Sequence, residues 1–176
     1  MGGHRMEKYI AVGIPVGPLT GDKKHYVMVN GMLLGTDRVS YRIWMSFLSG
    51  KGKTEVMEQQ EIKLIAEREK ADSCIDELCS VGLLVPLAEI MHYIPQRQGM
   101  GQGYSKISGD CIIHWNRPVH VPWDAYLLWC YCDGVHSFAE IAELLKKQRT
   151  GITEETVMQM AEILLWECVV LLVAER

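Results

Sequence analysis

Cys130-Tyr131-Cys132, with His120 and His136 close by in the chain, gathers thiols and imidazoles, the usual ligands of zinc. On a helix, positions two apart point to roughly opposite faces, and no Cys-x-x-Cys pair supplies the remaining ligands. These thiols therefore read as core residues, as do Cys74 and Cys79, because free cysteine behaves as a small hydrophobe. Ser49-Gly50-Lys51-Gly52-Lys53-Thr54 ends like a phosphate-binding loop, but Phe47 stands where that loop needs its first glycine. The segment also follows a helical pattern where such a loop follows a strand, so it reads as a basic turn. Gly99, Gly101 and Gly103 lack the strand-before, helix-after setting of a dinucleotide fingerprint. Glu61, Glu67, Glu69 and Asp72 interleave with Lys63, Arg68 and Lys70, the pattern of a solvated helix face. The six histidines are scattered; His92 and His114 read as surface or structural residues, and no nucleophile stands with a base. The expectation is a non-enzyme with no catalytic residue, no cofactor and no metal.

Composition sets the outer bounds. Of 176 residues 48% are hydrophobic and 23% charged, so a packed globular core is expected, as one medium domain or two small ones. A formal charge of −4 provides no global basic field for nucleic acid or an anionic membrane. The apolar stretch from Tyr9 to Val16 is broken by Gly13 and Pro15, too short for a signal-peptide core or a membrane span. Met6 stands where a myristoylation signal needs Ser or Thr. A cytoplasmic protein with reduced thiols is the expectation.

The chain resembles itself. A shift of 84 places Val27-Met28-Val29 on Cys111-Ile112-Ile113, Ser40 on Asp124, and Ser49-Gly50 on Asp133-Gly134. Near the end of each half a shift of 88 places Ile75 on Ile163, Leu78 on Trp166 and Val81 on Val169. In the second half, 111–115 and 119–121 read as a hairpin about Asn116-Arg117-Pro118, and Asp124 caps a buried helix that ends at Gly134. Ser137 with Glu140 forms a capping box for an amphipathic helix; Thr153 opens a third helix, and 169–173 closes as a strand. In the first half Ser40 caps a helix over 41–48, with a middle helix over 54–70 and a last one over 72–80. The fold class is therefore α+β: two winged-helix-like units in tandem, each a β-hairpin, three helices and a closing strand. The units span 1–95, with an additional N-terminal strand, and 111–176, and the glycine- and glutamine-rich segment 96–110 reads as a linker.

The run from His120-Val121-Pro122-Trp123-Asp124 through Trp129, then Cys132-Asp133-Gly134, Ser137-Phe138-Ala139-Glu140-Ile141 and Leu165 through Leu172 resembles the PqqD-like family. The resemblance covers 104–176 and, more faintly, 24–88. It implies a small winged-helix-type module, of the kind that recognises leader peptides in peptide-modifying systems. The bound peptide would add as a strand beside the hairpin and lie in a groove against the third helix.

Two classes of function compete. A winged helix commonly reads DNA through its third helix. The helix over 153–168 carries Glu154, Glu155, Glu162 and Glu167 without Lys or Arg, and 72–80 carries Asp72, Asp76 and Glu77 without a basic residue. Such helices would be repelled by phosphate, so nucleic acid is disfavoured. Recognition of a peptide or protein by strand addition remains, at the edge Val119-His120-Val121, with Met158, Ile163 and Trp166 left over from the core stripe of the third helix. Those three side chains either line the groove or face the other unit. A homodimer formed through the same apolar face is a third reading, and no membrane partner is expected.

Overall fold

The computed structural model describes residues 7–105 and 109–175. It divides into two compact units, 1–90 and 91–176. The first contains β1 (Lys8–Ala11), β2 (Ile14–Pro18), β3 (His25–Val29), β4 (Met32–Thr36), α1 (Arg38–Ser46), β5 (Lys51–Gly52), α2 (Lys53–Met57), α3 (Gln60–Ile65), α4 (Arg68–Ser80) and β6 (Leu84–Pro86). A 3-10 helix, Leu87–His92, follows. The second contains β7 (Tyr93–Arg97), β8 (Met100–Ser105), β9 (Gly109–His114), β10 (Arg117–Val121), α5 (Trp123–Tyr131), α6 (Phe138–Gln148), α7 (Glu154–Trp166) and β11 (Val170–Glu175). The fold is mixed α and β with four small antiparallel sheets, ordered β5-β1-β6 and β2-β3-β4 in the first unit, and β10-β9-β8 and β11-β7 in the second.

Each unit is thus a strand, a three-stranded meander, helices and a closing strand that returns to pair with the opening one. The expected hairpin is two-thirds of that meander. The N-terminal strand expected of the first unit is present as β1, whereas the opening strand of the second unit was not expected. Tyr9 to Val16, one apolar run in sequence, is two strands in space. Gly13, at φ +121°, divides them. Ile10, Ala11 and Val12 are buried beside Leu83, Leu84 and Val85, and β1 pairs with β6 through Tyr9–Pro86, Ile10–Val85 and Ala11–Leu84.

The internal repeat is exact enough to be followed bond by bond. Val12 N–H donates to the Leu83 carbonyl at 3.0 Å, and Gln98 N–H to the Val169 carbonyl at 2.7 Å. Leu83 N–H donates to Leu78, and Val169 N–H to Leu164, closing α4 and α7 alike; Gly82 and Cys168 take the positive φ this ending needs. Both meanders slip register at the same place, between Pro15 and Gly17 and between Gly101 and Gly103. The true offset is 85 over the first helix, where Trp44 matches Trp129, and 86 at the end, where Leu83 matches Val169. The shifts of 84 and 88 miss by one and two residues, because short apolar runs such as 27–29 and 83–85 align about as well at neighbouring offsets; the shift of 88 set buried Leu78 on exposed Trp166.

Several local expectations change. Asp37, three residues before Ser40, is the cap of α1: its carboxylate accepts from the N–H groups of Val39 (2.8 Å) and Ser40 (3.1 Å) and from the Ser40 hydroxyl (2.6 Å). Asp124 lies in the first turn of α5, where its charge suits the helix dipole, and it pairs with Arg149 at 2.6 Å. The middle helix of the first unit is two short helices, broken at Glu58-Gln59. Helix α4 starts at Arg68, so it carries Arg68 and Lys70, and the claim that it lacks basic residues fails. The capping box of α6 is as expected, with Ser137 N–H donating to Glu140 at 2.8 Å.

Most of the described part of the segment read as a linker is strand, 96–97 in β7, 100–105 in β8 and 109–110 in β9, with Gln98-Gly99 connecting the first two, while 106–108 lie outside the described residues. Its glycines serve packing. A Cβ on Gly99 would stand 2.5 Å from the Ile113 carbonyl, and one on Gly101 would stand 2.8 Å from the Trp129 ring and against the Tyr126 hydroxyl. Glycine content signals flexibility only where nothing approaches the backbone; here it signals contact.

Each unit has its own core. Trp44, Phe47, Ile43, Val56, Ile75 and Leu78 fill the first, and Leu128, Phe138, Ile141, Leu145, Val157 and Leu164 the second. Each such side chain, taken from water, contributes about 1.5–3 kcal/mol.

Candidate functional site

The edge residues expected to receive a strand lie on β10. It pairs antiparallel with β9 through Arg117–His114, Pro118–Ile113, Val119–Ile112, His120–Cys111 and Val121–Asp110, and it is the outer strand of its sheet. The hairpin turns at Trp115-Asn116, both at positive φ (51° and 58°), one residue earlier than the Asn116-Arg117-Pro118 turn read from sequence. A two-residue turn of this kind makes the flanking pair, His114 and Arg117, hydrogen-bonded across the ladder. By alternation Val119 bonds inward, while Pro118 and His120 turn their main-chain groups away from β9. Proline fits at 118 because its missing N–H would otherwise point at solvent. The open edge therefore offers the Pro118 carbonyl and both main-chain groups of His120.

Side chains alternate accordingly. Val119 and Val121 are buried and His120 is exposed. In α7 the stripe Val157, Met160, Ala161, Leu164 and Leu165 is buried, as its spacing requires. Ile163 and Trp166, three apart, share the outer face; Trp166 is 57% exposed, and Met158, half-buried, lies about 80° round the helix from it. Helix α7 packs against α5, α6 and β11, and α5 also packs on β9. The six residues thus fall in one unit, on two separate elements, with α5 touching both sides.

The surrounding charge is negative. Glu154 and Glu155 occupy the first turn of α7, and Lys146 reaches Glu154 at 3.8 Å. Before α6, burial raises the Asp133 carboxyl, but the N–H groups of His136 (2.9 Å) and Val135 (2.8 Å) and the His136 ring (2.7 Å) outweigh it and hold it down at about 2. Burial, helped by Arg117, lowers the His114 pKa. Burial pushes the Cys132 thiol well up, while Cys130, two residues earlier, is exposed. No three His, Cys, Asp or Glu side chains among the described residues gather as metal ligands.

Two features escaped the sequence reading. Trp115 is 88% exposed and carries a positive φ, where the matching turn of the first unit is Asn30-Gly31. The strand matching β10 in the first unit, β4, is exposed along Met32, Leu33 and Leu34. The signal for the second was present: Asn-Gly followed by an uncharged apolar run is a strong hairpin pattern.

No protein-family profile matches the chain, and no curated protein does. Among solved structures, that of PKMT2 from Rickettsia typhi is similar at a TM-score of 0.35 and 10% identity. The match covers 93% of this chain and 42% of that one, so the chain spans less than half of that protein's length. Among the described residues no helix is long and apolar enough to cross a membrane.

Proposed function

We propose that this chain is a non-catalytic binding module of two winged-helix-like units, which recognises an extended peptide or protein segment by strand addition at β10. The observation that carries the reading is the unpaired outer side of β10, with the main-chain groups of His120 turned outward. Main-chain hydrogen bonds would supply affinity, and alternate side chains of the added strand would set specificity. Ile163 and Trp166 supply exposed apolar surface on α7, in the same unit, for a partner to cover. The absence of Lys and Arg from α7 supports a protein partner over duplex DNA, whose binding draws on phosphate contacts.

The test is selection of decapeptides from a random displayed library on the full chain, followed by hydrogen exchange with a selected peptide bound. Slowed exchange at the His120 amide supports strand addition at β10. Peptides that bind and leave that amide unchanged overturn it.

A further inference from the structure

The two meanders hold equivalent edge strands that differ in what covers them. Leu34 of β4 matches Val119 of β10: each stands opposite a buried residue of the middle strand, Val27 or Ile112. Val119 is 4% exposed, whereas Leu34 is 37% exposed and Met32, on the same face, 62%. The turn Asn30-Gly31, both at positive φ, makes Val29–Met32 the hydrogen-bonded pair, so the main-chain groups of Leu33 and Gly35 turn outward. No proline or charged residue interrupts β4, and its outer side is unpaired. Protein edges are usually blunted by such residues; β10 carries one, Pro118, beside the outward groups of His120, and β4 carries none.

The charge around β4 identifies what fits it. Between 19 and 42 the chain carries Lys23, Lys24, Arg38 and Arg42 against Asp22 and Asp37, in a protein of net charge −4. Among the described residues none of those four cations has an ion pair. Asp22 is engaged by the Tyr26 hydroxyl and the Lys24 N–H, and Asp37 by its helix cap. The Lys24 stem lies across Gly35, with its Cδ 3.0 Å from where a Cβ would stand, on the face opposite Leu34. A strand laid beside β4 would meet Met32 and Leu34 on one face and, on the other, exposed Leu33 followed by the ammonium-bearing stem of Lys24 over Gly35.

We infer that β4 is a second strand-addition edge, whose occupant is an extended segment of a partner protein with apolar residues alternating with acidic ones. The inference shares the mode of recognition proposed for β10 and uses a different edge. A second copy of this chain fits less well, because pairing β4 with itself about a two-fold axis brings both copies' Lys24 and Arg38 to one interface, and like charges there oppose association.

The probe is a fluorescein-labelled peptide of alternating Val and Glu, nine residues long, with a control in which Lys replaces Glu. Polarisation with the full chain should show the acidic peptide binding at least about tenfold more tightly, with the preference falling as salt rises. Lys24→Glu, a surface change, leaves three cations against three anions and should cut the preference for the acidic peptide to within about threefold. Leu33→Pro, which removes an outward N–H and spares the β3 ladder, should weaken binding about tenfold or more. His120→Pro should leave it unchanged. Equal binding of both peptides, no binding below about 1 mM, or loss with His120→Pro and not with Leu33→Pro would overturn the inference; the last result would leave the β10 reading standing. A dimer that Leu33→Pro dissolves would assign the edge to a second copy and overturn it also.

Discussion

Trp44 and Trp129 hold the same place in the two units. The Trp44 indole N–H donates to the Val12 carbonyl at 3.2 Å, and the Trp129 indole N–H to the Gln98 carbonyl at 3.2 Å. Each ties the first helix of its unit to the residue just beyond the opening strand. Trp129 lies also 3.1 Å from the Val169 carbonyl, so it braces the closing end as well, and the Arg97 guanidinium stands 5.6 Å above its ring. Replacing either by Phe keeps most of the ring but removes the indole donor: the buried Val12 carbonyl loses its bond in one case and the part-buried Gln98 carbonyl in the other, while the Val169 carbonyl keeps the Gln98 N–H. Each change should cost about 1–3 kcal/mol, with Trp44→Phe the larger because its acceptor is the more deeply buried, read from urea midpoints at constant slope. A larger cost for Trp129→Phe would mean that its second acceptor, the Val169 carbonyl, contributes despite the bond it takes from Gln98.

Trp166→Ala should leave the fold within about 0.5 kcal/mol, because the ring stands outside the core. Leu164→Ala, two residues earlier on the buried face of the same helix, should cost about 2–5 kcal/mol. Against a peptide selected on the full chain, Trp166→Ala should weaken binding by about 2 kcal/mol. Unfolding by Trp166→Ala would return that residue to the core.

The turn at Trp115-Asn116 is strained relative to its counterpart. A bulky residue at φ 51° is uncommon, while Asn-Gly adopts this turn freely. Exchanging Trp115-Asn116 for Asn-Gly should raise stability by about 1 kcal/mol. No gain in the urea midpoint would show that the Trp115 ring makes compensating contacts in the hairpin.

Gly101→Ala tests whether the glycine-rich segment is packed or free. The new methyl would press on the Trp129 ring and the Tyr126 hydroxyl, so a loss of about 1–3 kcal/mol is expected. A neutral or stabilising result would restore the linker.

Acid should unlock the Asp133 loop. The Asp133 carboxyl sits at about 2 when folded, below its ordinary 3.8. A depressed carboxyl contributes stability that is present above the unfolded value and lost as pH falls through the folded one, here from about pH 4 to pH 2. The carboxylate is 40% exposed, so solvent screens the effect and the slope is shallow. Asp133→Asn should flatten the melting-temperature profile in that window; an unchanged slope would place the acid sensitivity elsewhere.

The sequence by itself determined the internal repeat, the capped helices α6 and α7 and the core stripe of α7, because these follow from local periodicity and from side chains that bond within one turn. It also placed Ile163 and Trp166 outside that stripe. It gave an N-terminal strand in the first unit but not β7, nor the pairing of β1 with β6 and of β7 with β11 that closes each unit, since such pairing depends on contacts between residues some 75 positions apart. Glycines at 99 and 101 looked like flexibility because sequence shows the missing side chain and not the rings that fill its place. Which edge keeps bare apolar side chains was likewise a tertiary matter: β10 and β4 are both outer strands, Val119 and Leu34 are alike in pattern, and only the packing around them buries one and leaves the other exposed.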